Sequence, residues 1–414
     1  MKLINVLRTN RILKSIFVLL SGTIIAQLVP ILLQPILRRS YSPQDFGKYA
    51  LFAAIIEIVV TINTFRLEQA ILIPHSEKEA VKLVNASLYT CVLISVFMIP
   101  VIPLLHYFTG LSISILLFLP FCSFFFGLIN IGNYWYVRNS MFKMLSYNKL
   151  IRRFSEGGVQ VALGLSFTNI GLFIGSLVGF IVAGVHVIYK LKIKKLITWK
   201  EYVFVITPYK SFIYYSVLPA LLNILSLFIP LFVFKSKFND FYTGQFDLTR
   251  QVLGLPLVII SGTISQVLVS NVTNKYHHKE KFTNLLQHAF IISVLIAFVL
   301  IIIINTVGVD IIVYIFGEKW RMAADLSQVL IWGYSMKFIS TCFYNVLIPI
   351  NKVRVLGWWQ VINFFLSLSL FLSFFTKNVS SFCKTYILIE IVSCLVCLIF
   401  VFRSAYTVQK NTLG

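Results

Sequence analysis

Acidic residues are scarce in this chain. Among 414 residues there are 14 Asp and Glu against 36 Lys and Arg, and charged residues of all kinds make up only 12%. A soluble domain is nearer a quarter charged, so a water-soluble globular protein is excluded. The net charge of +22 would point to nucleic acid in a soluble chain. Here most of it lies in short loops between apolar runs, which points to membrane topology and anionic headgroups, with no nucleic-acid partner. No stretch between those runs exceeds about twenty residues, which leaves no room for an extramembrane domain. Any chemistry must therefore sit within the helices or at their rim.

Catalytic and metal signatures are also missing. There is no Walker loop, no H-E-x-x-H and no G-x-S-x-G, so we expect neither an enzyme nor ATP coupling within the chain, and no cofactor. The six cysteines are scattered. Cys394 and Cys397 form a C-x-x-C inside an apolar run, which reads as small polarisable packing residues rather than a redox or metal motif. The histidines show no metal spacing, and His277-His278 sits in a Lys-rich loop.

What the chain does have is apolar length: 58% of residues are hydrophobic and 15% aromatic. Runs long enough to span a bilayer recur at about 15–36, 49–73, 83–105, 113–136, 154–169, 171–189, 211–234, 251–272, 286–305, 323–347, 357–376 and 383–403. The first is too long for a signal-peptide core and reads as an uncleaved span. The basic segments 138–153 and 190–210 fall on the same side as the basic N-terminus, which predicts that both termini are cytoplasmic. Tyr134-Trp135-Tyr136 and Trp358-Trp359 fall near span ends, as interfacial anchors do.

The two halves resemble each other. Arg38, Tyr41, Gly47, Tyr49 and Leu51 match Lys235, Phe238, Gly244, Phe246 and Leu248 at one constant shift, which also places Gln69 on Gln266. An even number of spans per half makes this a parallel repeat. The expected fold is all-α: a polytopic membrane protein of about twelve helices, in an N-terminal lobe (1–200) and a C-terminal lobe (201–414), around a central cavity. Residues 38–48 are expected to form a short wet turn between the first two spans.

Polar residues at helical spacing mark the faces that would line this cavity. The first span offers Thr23, Gln27, Pro30 and Gln34, and the seventh Pro219, Asn223, Ser226 and Pro230. The second span offers Glu57, Thr61, Thr64 and Glu68, and the eighth Arg250, Gly254, Ser261 and Ser265. Packing by interhelical hydrogen bonds is the alternative for all four. Ionisable residues within spans mark functional paths. Glu57, Glu68 and Glu390 are accordingly candidates for coupling to a proton or sodium gradient. Arg66 lies nearly opposite the Glu57–Glu68 stripe, so the two cannot both face the cavity. Lys337, near the middle of the tenth span, either pairs with an acid such as Glu390 or contacts substrate. Glu156, with Gln160, reads as interfacial.

The run Tyr41-Ser42-Pro43-Gln44-Asp45-Phe46-Gly47-Lys48-Tyr49-Ala50-Leu51, followed by Phe65-Arg66-Leu67-Glu68-Gln69-Ala70-Ile71-Leu72-Ile73-Pro74, resembles the Wzx-type polysaccharide flippases. These form the polysaccharide transporter branch of the MATE/MurJ-like exporter superfamily. Phe316-Gly317-Glu318-Lys319-Trp320 with Ala323-Ala324, and Asn351-Lys352, resemble later segments of the same family. The resemblance implies two six-helix lobes around a cavity that opens alternately to each side. It implies transfer of undecaprenyl-diphosphate-linked oligosaccharide, for O-antigen, capsule or another surface polysaccharide, from the cytoplasmic to the periplasmic leaflet of the bacterial inner membrane. Membrane lipids, the polysaccharide polymerase and the chain-length regulator are the further partners it implies. Arg66, Arg250 and Lys337 would then be phosphate ligands, and Gln27, Gln34, Asn223 and Ser226 would serve sugar hydroxyls. Two rival classes are an integral-membrane glycan polymerase or ligase and a drug or ion exporter of the same fold.

Overall fold

The computed structural model describes residues 11–166, 169–191, 197–372 and 378–413, with side chains between residues 25 and 410. Thr23 therefore lies outside the described side chains, and Thr168 outside the described residues.

The described chain is helical throughout, with twelve helices of twenty residues or more. In order these are α1 Arg11–Ser40, α2 Pro43–Ile62, α3 Glu77–Thr109, α4 Phe118–Arg138, α5 Phe142–Leu165 and α6 Gly171–Leu191. The second set is α7 Lys210–Lys237, α8 Asp240–His277, α9 Thr283–Ile303, α10 Arg321–Phe343, α11 Val353–Leu372 and α12 Val379–Leu413. Eight described helical stretches are long and apolar enough to cross a membrane, and they include α3, α4, α6, α7, α8, α9, α11 and α12. The chain is thus a multi-pass membrane protein. Of the other four, α2 carries Asp45, Lys48 and Glu57, α5 carries Arg152, Arg153 and Glu156, and α10 carries Asp325 and Lys337. Those are the helices whose ionisable residues need protein rather than lipid around them.

Two compact units divide the chain, Met1–Ile224 and Leu225–Gly414, and the division falls inside α7. In the first, α5 packs along both α6 and α1, and α4 packs on α6. Gly179 makes the α5–α6 approach possible, since a Cβ there would lie 2.7 Å from the Glu156 Cβ and 3.1 Å from the Arg152 carbonyl. In the second, α10 lies against α8, α12 and α9, which shelters its polar residues.

The internal repeat is visible in the backbone. α1 ends at Ser40 and α2 begins at Pro43; at the sequence shift that carries Arg38 to Lys235, α7 ends at Lys237 and α8 begins at Asp240. Both second helices start on a capping side chain. Ser42 accepts from the Asp45 amide while Asp45 reaches back to the Ser42 amide, with Pro43 at the first helical position. Asn239 accepts from the Tyr242 amide at 3.1 Å, and Lys235 pairs with Asp240 across the turn.

The first turn is only partly open: Arg39 and Gln44 are exposed, but its other members are buried or half-buried. Arg38 is fully buried, its guanidinium 3.7 Å from the Phe46 ring centroid and its Nε donating to Gln34 Oε1 at 3.0 Å. The Tyr41 hydroxyl is buried on α5, donating to the Gln160 carbonyl at 2.7 Å. Aromatic stacking and that one long-range bond draw the turn into the protein.

The second span is also not one helix. α2 stops at Ile62, Phe65 and Arg66 take left-handed backbone angles (φ 50° and 57°), and Leu67–Ala70 forms a separate short helix. Asn63 secures the break by donating its side-chain amide to the Ser123 carbonyl at 2.5 Å. Glu57 and Glu68 consequently do not share a helical stripe, and the expected opposition between that stripe and Arg66 dissolves.

Candidate functional site

Each unit holds a cavity where cations meet acids, and the two are built by different helices. In the second unit a cavity of about 250 Å³ is lined by Arg250, Gln251, Ser261, Tyr334, Lys337 and Tyr386, with apolar walls from α7, α8 and α10. Helical spacing on α10 aligns Tyr334, Lys337 and Thr341, and α8 presents Arg250, Gly254 and Ser261 to the same space. Lys337 reaches across to α12, its Nζ 2.9 Å from Glu390 Oε1. The Lys337 side chain is 35% exposed and that of Glu390 9%. Arg250 Nη2 lies 3.1 Å from Asp247 Oδ1, Gln251 donates to Asp247 Oδ2 at 2.8 Å, and the Arg250 guanidinium faces the Phe228 ring at 5.1 Å. The Arg250 Nε is buried without a hydrogen-bond partner.

Two of the three expected cations, Arg250 and Lys337, thus converge on one cavity, and each brings a carboxylate, while Arg66 is not in its lining. Of the two outcomes open for Lys337, the pairing with Glu390 is present, and the same lysine lines the cavity. A guanidinium has five N–H donors and an ammonium three, so one carboxylate each leaves donors for an arriving anion. The matched acids reduce the positive field that two bare cations would produce.

In the first unit a cavity of about 120 Å³ is lined by Tyr49, Glu57, Arg152, Arg153, Glu156 and Ser176, among others. Glu156 is buried rather than interfacial. It pairs with Arg153 Nη1 at 3.0 Å and Arg152 Nε at 4.0 Å, and accepts from the Ser176 hydroxyl at 3.2 Å. The Tyr49 hydroxyl lies 2.7 Å from Ser176 Oγ, and Gln160 donates to the Leu172 carbonyl at 3.0 Å. Arg152 lies over the faces of Phe126 and Phe180 at 4.5 and 4.3 Å. Glu57 stands exposed at the cavity rim, within electrostatic reach of Arg152. A signal for this nest existed in the Arg152, Arg153, Glu156 and Gln160 spacing, since residues three and four apart meet on a helix. Tyr49 and Ser176 join from other helices and left none.

The remaining candidates lie apart. Glu68 is buried and accepts from the Thr64 hydroxyl. Arg66 is half-buried in the left-handed turn after α2, its Nε without a hydrogen bond. Gln34 is half-buried and tied to Arg38, while Gln27 and Asn223 are exposed. Ser226 is buried on α7 beside Leu227, outside the cavity lining. Asp247, Gln251 and Tyr386 belong to the second cavity and were not anticipated.

Several solved structures share the fold. A multidrug resistance MATE family transporter of the MOP superfamily, in an inward-facing conformation, aligns over 96% of this chain and 99% of its own, with 15% identity and a TM-score of 0.71. The lipid II flippase MurJ, in an inward closed conformation, aligns over 96% of this chain and 91% of its own, with 13% identity and a TM-score of 0.71. An outward-facing MATE family transporter aligns over 97% and 96%, with 13% identity and a TM-score of 0.55. No curated protein matches by sequence. The family described as "Polysaccharide biosynthesis protein" matches residues 36–325, more than two-thirds of the sequence; the match includes Glu156 and Arg250 and stops short of Lys337 and Glu390. The chain belongs to that polysaccharide biosynthesis protein family.

Proposed function

We propose that the protein is a flippase that carries an undecaprenyl-diphosphate-linked oligosaccharide repeat unit from the cytoplasmic to the periplasmic leaflet of the bacterial cytoplasmic membrane, by alternating access. The observation that carries this reading is the pairing of Arg250 and Lys337 around one cavity in a member of a polysaccharide biosynthesis family. The likeness of the whole chain to exporters supports it on the side of the fold.

In this reading a diphosphate displaces carboxylates. Arg250 turns from Asp247 toward a phosphoryl oxygen, and Lys337 turns from Glu390, giving charge-assisted hydrogen bonds suited to phosphate. Glu390 and Asp247, each relieved of its cation, become the sites where a proton or sodium ion enters, so that anion arrival and ion binding are linked. Glu57 and Glu68 are alternative ion sites in the first unit. Gln27, Gln34, Asn223 and Ser226 are assigned to sugar hydroxyls, and Arg66 to a second anion contact. No covalent step is required. Both termini are placed in the cytoplasm, and a polysaccharide polymerase with its chain-length regulator would receive the product.

The test is glycan analysis of a deletion strain. Loss of surface polymer, with lipid-linked single repeat units accumulating on the cytoplasmic face, is the expected result. Intact polymer with new drug sensitivity would replace this reading with drug export. Lost polymer with single units already on the outer face would replace it with polymerisation.

A further inference from the structure

A third cavity, of about 300 Å³, lies in the second unit away from Arg250 and Lys337. Its lining joins the start of α11 to the end of α12: Lys352, Val355 and Trp358 on one side, Phe400, Arg403, Ser404 and Thr407 on the other. Two cations share this cavity and none of the lining residues is acidic. The contrast with the cavity above is direct, since Arg250 and Lys337 each hold a carboxylate. Lys352 and Arg403 form no side-chain ion pair or hydrogen bond among the described residues, and the Ser404 hydroxyl also has none. Segments 351–358 and 400–410 contain no Asp or Glu, and they add Arg354 and Lys410 nearby in sequence.

The local fold holds these groups in place. A left-handed residue at Asn351 (φ 58°) ends the turn after α10, and the Lys352 amide closes it on the Leu347 carbonyl at 2.8 Å. Trp359 donates its indole N–H to the Ser393 carbonyl at 3.2 Å and stacks on Tyr344, which ties α11 to α12. Its neighbour Trp358 points the other way, 67% exposed at the cavity. Thr407 spends its hydroxyl proton on the Arg403 carbonyl, so its lone pairs rather than a donor face outward.

We infer that this cavity is a binding site for the phosphate headgroup of an anionic phospholipid. A guanidinium, an ammonium and a hydroxyl donor without internal acceptors supply what a phosphodiester oxygen pair needs. Phe400, Val355 and the exposed Trp358 supply an apolar wall and an interfacial ring of the kind found at headgroup depth. Basic pockets between membrane helices bind anionic headgroups for this reason. The inference is independent of the transport reading.

The test uses the purified full-length chain in detergent, with native mass spectrometry after equilibration with phosphatidylglycerol or phosphatidylcholine. Wild type should retain phosphatidylglycerol in preference, and the Lys352→Gln/Arg403→Gln double variant should lose that preference by a factor of roughly thirty, the equivalent of about 1 kcal/mol for each of the two cations. The Lys352→Arg/Arg403→Lys variant should keep it, which separates charge from misfolding. Brominated phosphatidylglycerol should quench fluorescence in wild type more than in Trp358→Phe. Equal retention of the two lipids by wild type, or equal phosphatidylglycerol retention by wild type and the Gln double variant, would overturn the inference. Displacement of the lipid by millimolar inorganic phosphate would overturn the lipid assignment in favour of a free-anion site.

Discussion

The Glu156 nest of the first unit and the Arg250–Lys337 cavity of the second solve the same problem, ionisable groups within a membrane protein, in opposite ways. In the first unit a single buried acid, Glu156, faces two arginines, and hydroxyls from α2 and α6 close the network around it. In the second, two cations each take their own acid, the cavity is about twice as large, and one pair bridges two helices. Three helices converge on Glu156, so its bonds lock packing in place. The Lys337–Glu390 pair instead borders open space, with the lysine about a third exposed. The comparison assigns stability to the first nest and exchange to the second.

The largest expected effect is on the first side of this comparison. Glu156→Ala leaves Arg152 and Arg153 without their acid, and breaking a pair at such a sheltered site costs about 3 kcal/mol. Thermal unfolding in detergent should show the loss, and an unchanged midpoint would put the nest in water. Next, Gly179→Ala should cost about 1–3 kcal/mol through overpacking against Glu156. Read by the same melt, a neutral result would mean that α5 and α6 separate easily.

On the other side, Lys337→Ala should reduce transport about tenfold, roughly 1.4 kcal/mol, while the protein still inserts and its melting falls less than in Glu156→Ala. Wild-type polymer in that strain would remove Lys337 from the substrate path. Arg250→Glu should be worse than Arg250→Ala if an anion passes, and equality of the two would assign Arg250 to packing. The smallest effect compares the two repeats themselves. Ser42→Ala and Asn239→Ala should each cost about 1 kcal/mol as lost helix caps, with Ser42 the larger because its box holds two bonds.

Much of the architecture was legible in the apolar runs, because length and hydropathy decide whether a helix can sit in lipid. A turn between the first two spans was legible, but it was read over residues 38–48, whereas the Ser42 cap starts α2 at Pro43. The break after Ile62 was not legible. Asn63-Thr64-Phe65-Arg66 contains neither Gly nor Pro, and what secures it is an amide bonded to a carbonyl sixty residues away. α5 begins well before its apolar run because its first turns are amphipathic rather than apolar. Lys337 and Glu390 were visible as buried charges, and their mutual reach was one of two outcomes the spacing allowed. Glu156 read as interfacial because Tyr49 and Ser176, which close over it, lie on helices that spacing along α5 does not reveal, although its arginine partners sit three and four residues away on α5.

The interruption between α2 and the short helix Leu67–Ala70 has a further consequence. The corresponding stretch of the second repeat runs on as uninterrupted α8, so the two copies have ceased to be interchangeable parts. A chimera carrying residues 43–70 in place of their counterparts from Asp240 onward would import a joint where the host has a continuous helix. It would lose Arg250 and Ser261 with the exchanged segment, and the joint would replace the continuous helix that presents both to one cavity.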